Sequence, residues 1–107
     1  MSIELNHTII WARDKAKSAA FLAGILDLPV GEQWGPFVPV QVSNGVTLDY
    51  ADAEDIQPQH YAFLLNEDEF DAAWRAPASV DSHRSGTMVY EEKYGSGIDT
   101  PEVYRRV

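Results

Sequence analysis

The stretch ELNHTIIWARD, residues 4–14, decides how this chain is read. It alternates as a strand does: Ile3, Leu5, His7, Ile9 and Trp11 share one face, and Glu4, Asn6, Thr8 and Ile10 share the other. The first set is the more apolar and is the expected buried face. A histidine in its midst has two readings. One is a core residue whose ring nitrogens are satisfied by neighbours; the other is a metal ligand or a catalytic base. Asp14 then stands where a helix N-cap belongs. The helix expected after it covers 15–27, with Ala19, Leu22, Ala23, Ile25 and Leu26 as its apolar stripe.

The same arrangement recurs in QHYAFLLNEDEFDAAW, residues 59–74, where His60 follows His7 by 53 positions. At that offset Asn6-His7 falls on Gln59-His60, TIIWA on YAFLL, and Ala19-Ala20-Phe21 on Ala72-Ala73-Trp74. Each half reads as strand, polar turn and amphipathic helix, the mark of a duplicated supersecondary unit. The first half continues with a strand over 37–42, in which Pro39 marks an edge. SNG is a hairpin signal leading into VTLDYAD, and a further short strand is expected at 32–34. DAEDIQPQ, residues 52–59, links the halves. The second half repeats the opening (strand 59–65, Asn66 as N-cap, helix 67–75) and then departs. APASVDSHRSG is polar and small, leaving TMVYEEKY and GIDTPEVYRRV to form strands. A single domain over 1–107 is expected, with a first module over 1–52 and a second, shortened one over 53–107.

Composition narrows the function. Seventeen acids against eight bases give a net charge of −9, with no basic cluster to offset it, which argues against nucleic acid as a partner. No apolar run approaches a membrane span, and MSIELNH lacks the basic and apolar regions of a leader. Cysteine is absent, so disulfides and thiolate metal sites are excluded. A cytoplasmic protein with a small-molecule ligand is the expectation. Acids lining its pocket would favour a cationic ligand.

The motifs NHTIIWARD, FVPVQVSNGVTLDYAD and QHYAFLLNEDEFDAAW resemble those of the vicinal-oxygen-chelate superfamily, which includes glyoxalases, bleomycin-resistance proteins and extradiol dioxygenases. The resemblance covers residues 3–75 well and 86–100 loosely. It implies an α+β fold in which two βαβββ modules form a mixed sheet curled around a cleft. It also implies metal ligands on the first and last strands of each module. Carried over, these are His7, Asp49, His60 and a fourth acid. Spacing from the hairpin glycines selects Asp99 for that place, which we follow, whereas the 53-residue offset selects Glu102.

Imidazole and carboxylate donors suit Zn, Ni, Mn or Fe(II), and the cofactor is therefore a divalent metal or none. Trp11, Trp34, Phe37 and Tyr50 are the candidate ligand-binding aromatics, with Trp34-Gly35-Pro36-Phe37 in a turn at the cleft mouth. The resemblance leaves three functions open. They are a metal-dependent lyase, isomerase or dioxygenase; a bleomycin-resistance-type protein that sequesters a cationic aromatic drug; and a degenerate dimerising paralogue. Exposed sheet edges in a shortened chain further imply a homodimer.

Overall fold

In a computed structural model, which describes residues 2–74, 79–83, 87–90 and 102–105, the first module contains β1 (His7–Ala12), α1 (Lys15–Leu26), β2 (Val38–Gln41) and β3 (Thr47–Asp52). β1 runs parallel to β3, and β2 pairs with β3 antiparallel, in the order β1-β3-β2. Pro39 lies, as expected, on the edge strand β2. Two carboxylates start α1: Asp14 Oδ1 accepts from the Lys17 N–H at 3.1 Å, and Asp52 Oδ1 accepts from the Lys15 N–H at 3.0 Å. Asp27, in the left-handed region at φ 54°, ends the helix. Gly45, at φ 90°, turns the hairpin between β2 and β3.

The packing reverses the expected faces of β1. Ile10 and Ala12 are buried, whereas His7, Ile9 and Trp11 are exposed. The reason is the position of α1. Its Ala19, Leu22 and Ala23 lie against Ile10, Ala12, Val38, Val40, Leu48 and Tyr50, and the alanines on both sides let helix and sheet approach closely. One helix can cover only one face. The apolar residues Ile9 and Trp11 are left on the other.

The second module contains β4 (Ala62–Leu65), α2 (Glu67–Trp74), β5 (Ser79–His83), β6 (Thr87–Tyr90) and β7 (Glu102–Arg105). Asn66 caps α2 reciprocally: its Oδ1 accepts from the Glu69 N–H at 2.8 Å, and Glu69 Oε1 accepts from the Asn66 N–H at 2.9 Å. Leu65, Phe70, Ala73 and Val103 form its core, joined by Ile25 of α1. α1 thus serves both cores.

Three further expectations need correction. The strands do not form one mixed sheet curled around a cleft; they form two separate sheets, β1-β3-β2 and β4-β7-β6-β5, each mixing parallel and antiparallel pairs. β1 and β4 are the edge strands of their sheets. The second module is short in its helix, eight residues against twelve, yet the polar segment expected as a connection supplies β5. The short strand expected at 32–34 is reduced to an isolated bridge between Trp34 and Phe37.

Ser18 of α1 is fully buried, and its Oγ has no hydrogen-bond partner. A buried hydroxyl without a partner destabilises, and alanine is the better helix former. Ser18→Ala should therefore raise the unfolding free energy by about 0.5–1 kcal/mol in urea titrations. A loss of stability would show that the hydroxyl is engaged.

Candidate functional site

The face of the first sheet turned away from α1 carries His7, Ile9 and Trp11 from β1, and Thr47, Asp49 and Ala51 beside them on β3. The register pairs His7 with Thr47, Ile9 with Asp49, and Trp11 with Ala51. Across β2, Pro39 is the other register partner of Asp49. Asp49 is therefore flanked by isoleucine and proline side chains that donate no hydrogen bond. It is only 4% exposed, and its Oδ1 has no partner. A carboxylate oxygen buried in this state is costly, and a cation is the most direct way to satisfy it.

His7 is a diagonal neighbour of Asp49 on the same face. Its Nδ1 lies 2.7 Å from Asn6 Oδ1. An amide oxygen only accepts, so Nδ1 is the donor in this pair, and in the neutral ring Nε2 is the nitrogen left with a lone pair. Such an orienting hydrogen bond is of the kind that metal-bound histidines make.

His60 precedes β4 and is exposed. It lines a cavity of about 650 Å³ together with Thr8, Ile9 and Trp11 of β1, with Asp55, Gln57 and Gln59 of the inter-module segment, and with Tyr61. Ile9 thus connects the two places: it is the register partner of Asp49 and a wall of the cavity that holds His60.

The four sequence-derived ligands are not all brought together. Among the described residues no three histidine, aspartate or glutamate side chains are grouped as a metal site. Asp99 lies outside the described residues. The register bears directly on its rival. β1 and β3 pair Ile9 with Asp49, and β4 and β7 pair Ala62 with Glu102. Both members of the second pair stand 53 positions after those of the first, so Glu102 is the register equivalent of Asp49.

Of the aromatic candidates, Trp11 is 48% exposed and lines the cavity. Tyr50, expected among the ligand-binding aromatics, is fully buried on the face covered by α1, because its position has the opposite parity to Asp49. Trp34 and Phe37 pair across a tight turn at 5.1 Å between ring centroids, and Lys15 Nζ donates to the Pro36 carbonyl within that turn at 3.0 Å. Neither aromatic lines the cavity of His60. The sequence reading passed over Asp55, Gln57 and Gln59 as linker. Their signal was the alternation of polar residues at 55, 57 and 59 around Ile56 and Pro58.

No protein-family model matches the sequence, and no curated protein does. Solved structures do. A glyoxalase/dioxygenase from Nostoc punctiforme superposes with a TM-score of 0.73 at 17% identity, over 97% of this chain and 91% of that one. The chain therefore shares that protein's fold. Oxidase ChaP-H2 is 39% identical, with a TM-score of 0.81 over 100% of this chain and 96% of its own. Oxidase ChaP-H1 is 34% identical, with a TM-score of 0.80 over 99% and 98%. The chain belongs to the family of these ChaP-H oxidases.

Asp49 has no hydrogen-bonding reason to be where it is, so removing its charge should help the fold. Asp49→Val, a β-branched replacement suited to a central strand, should stabilise the chelator-treated protein by about 1–3 kcal/mol in denaturant titrations. A destabilised variant would show that the carboxylate is held by the protein itself.

Proposed function

We propose that the protein is an oxidase that uses dioxygen to oxidise a small organic molecule, with a divalent metal held by His7, His60 and carboxylates of the two equivalent strand positions, Asp49 and Glu102. The observation that carries this reading is the repeated register, which sets a carboxylate in the last strand of each module at the same place relative to the first strand. The unpartnered oxygen of Asp49 and the hydrogen bond between His7 and Asn6 support it from the first module. Kinship with two proteins named as oxidases supports the reaction class.

Two imidazoles with carboxylate suit Fe(II) among the divalent candidates. Such an ion, when bound, supplies electron transfer and open positions for substrate oxygens. This chain's own contributions are distinct. Asn6 fixes the His7 ring, Ile9 and Pro39 keep water from Asp49, and the cavity beside His60 receives the organic molecule. The drug-sequestering alternative has less support, because Asp55 is the one acid among the described residues lining that cavity.

The reading includes a homodimer. β1 and β4 are edge strands, and Ile3, Leu5 and Leu64 are exposed large apolar residues on or just ahead of them. Light scattering at micromolar concentration should give about twice the 12.0 kDa chain mass. A mass of one chain would contradict it.

Protein purified without chelator and loaded anaerobically with Fe(II) should bind one ion per chain and consume dioxygen only with substrate present. His7→Ala and His60→Ala should each abolish stoichiometric binding, and Glu102→Gln should weaken it. Asn6→Ala should cost about 10–100-fold in metal affinity, through loss of the ring's orienting partner. Full metal binding by the His7→Ala/His60→Ala double variant would overturn the proposal.

A further inference from the structure

We propose that Gly31 is a positioning residue for the metal centre and that it acts through Pro39. Lacking a side chain, Gly31 lets the segment ahead of β2 close on the Pro39 ring and hold that ring beside Asp49. This role deepens the oxidase reading and rests on it for Asp49 as a metal ligand.

The segment between α1 and β2 turns back onto β2, where the Gly31 N–H donates to the Pro39 carbonyl at 2.8 Å. A methyl group on Gly31 would stand 2.8 Å from Pro39 Cγ and 3.2 Å from the Pro39 carbonyl oxygen. Side-chain carbons essentially never come as close as the first of these. At Gly24, Gly35 and Gly45 the same methyl would meet nothing within 4 Å. Gly35 and Gly45 have positive φ, which favours glycine, and Gly31 does not. Space, and not backbone conformation, therefore demands glycine at position 31.

Strand geometry sets the Pro39 ring between Gly31 and Asp49. The N–H and C=O of a strand residue point to one side, and successive residues alternate. The Thr47 N–H donates to the Asn6 carbonyl, toward β1, and Asp49 two residues on faces the same way. Its backbone groups thus point away from β2. Those of its register partner Pro39 point away from β3, to the sheet edge where Gly31 accompanies it. Pro39 and Asp49 are then a non-hydrogen-bonded pair, the kind whose side chains stand closest, with Cα atoms about 4.5 Å apart. The N–H that proline lacks is one the ladder does not use. A larger residue at 31 would push the ring toward the carboxylate, because Gly31 stands on its other side. A smaller residue at 39 would admit water to the carboxylate. Either change weakens cation binding, since the apolar shell of a metal site controls its access to solvent.

The test is isothermal titration of Mn(II) into chelator-treated protein, with urea titrations of the same variants. Gly31→Ala should weaken Mn(II) binding about ten-fold. Pro39→Ala, which removes the ring, should weaken it to a similar degree and carries the test if Gly31→Ala does not fold. Adding Gly31→Ala to Pro39→Ala should cost less than about two-fold more, because the atom that the new methyl strikes has gone. Gly35→Ala is the control, since it strains a positive φ in the same segment without meeting Pro39. It should lower the urea midpoint and leave Mn(II) affinity within about two-fold of wild type. Wild-type affinity in Gly31→Ala or Pro39→Ala, or equal losses in Gly31→Ala and Gly35→Ala, would overturn the inference alone. Wild-type protein that binds no Mn(II) would overturn the metal reading, and this role with it.

Discussion

The packing of α1 on one face of the first sheet is the constraint on which the rest of the arrangement depends. Ala19, Leu22 and Ala23 cover Ile10, Leu48 and Tyr50, so the face bearing His7, Ile9, Trp11 and Asp49 is turned away from α1. Both faces of β1 are apolar enough to have been buried. Shape decides between them: Ala12 accommodates a close helix, whereas Trp11 at the adjoining position would hold it away. Once the helix is placed, Ile9 and Trp11 are left to line the cavity beside β1.

Asp49 shows how the site conflicts with the fold. A strand interior flanked by Ile9 and Pro39 is a place for valine, and an aspartate there has an oxygen with no partner. Proteins keep such local inconsistencies where function requires them. In the proposed metal centre the same burial that costs stability strengthens attraction for a cation, because less water competes for the carboxylate.

Much of this was legible in the sequence. The 53-residue repeat, the caps at Asp14 and Asn66, the hairpin at Gly45 and the edge position of Pro39 follow from local rules that depend on neighbours in the chain. The face of β1 was not legible, because alternation identifies two faces without saying which one a helix will cover. Tyr50, expected among the ligand-binding aromatics, lies on the helix-covered face for the same reason. The separation into two sheets depends on how edge strands meet across the linker, and no periodicity encodes that. The cavity lining by Asp55, Gln57 and Gln59 was harder to read, because a short alternation in an irregular segment marks neither a strand nor a helix. The choice between Asp99 and Glu102 illustrates the difference between two kinds of evidence. Glycine spacing is a local count, whereas strand register compares whole modules, and it is the register that sets Glu102 opposite Ala62 as Asp49 is set opposite Ile9.

The central claim is that the face turned away from α1 is the working face and that the two histidine positions serve one centre. Its most direct test is the anomalous scattering of Mn(II), a redox-stable substitute for Fe(II), in crystals of the protein. The account predicts one anomalous peak per chain, with a nitrogen of His7 and one of His60 at about 2.0–2.3 Å from it. A peak bound elsewhere, with the His7 ring free of metal, would contradict it.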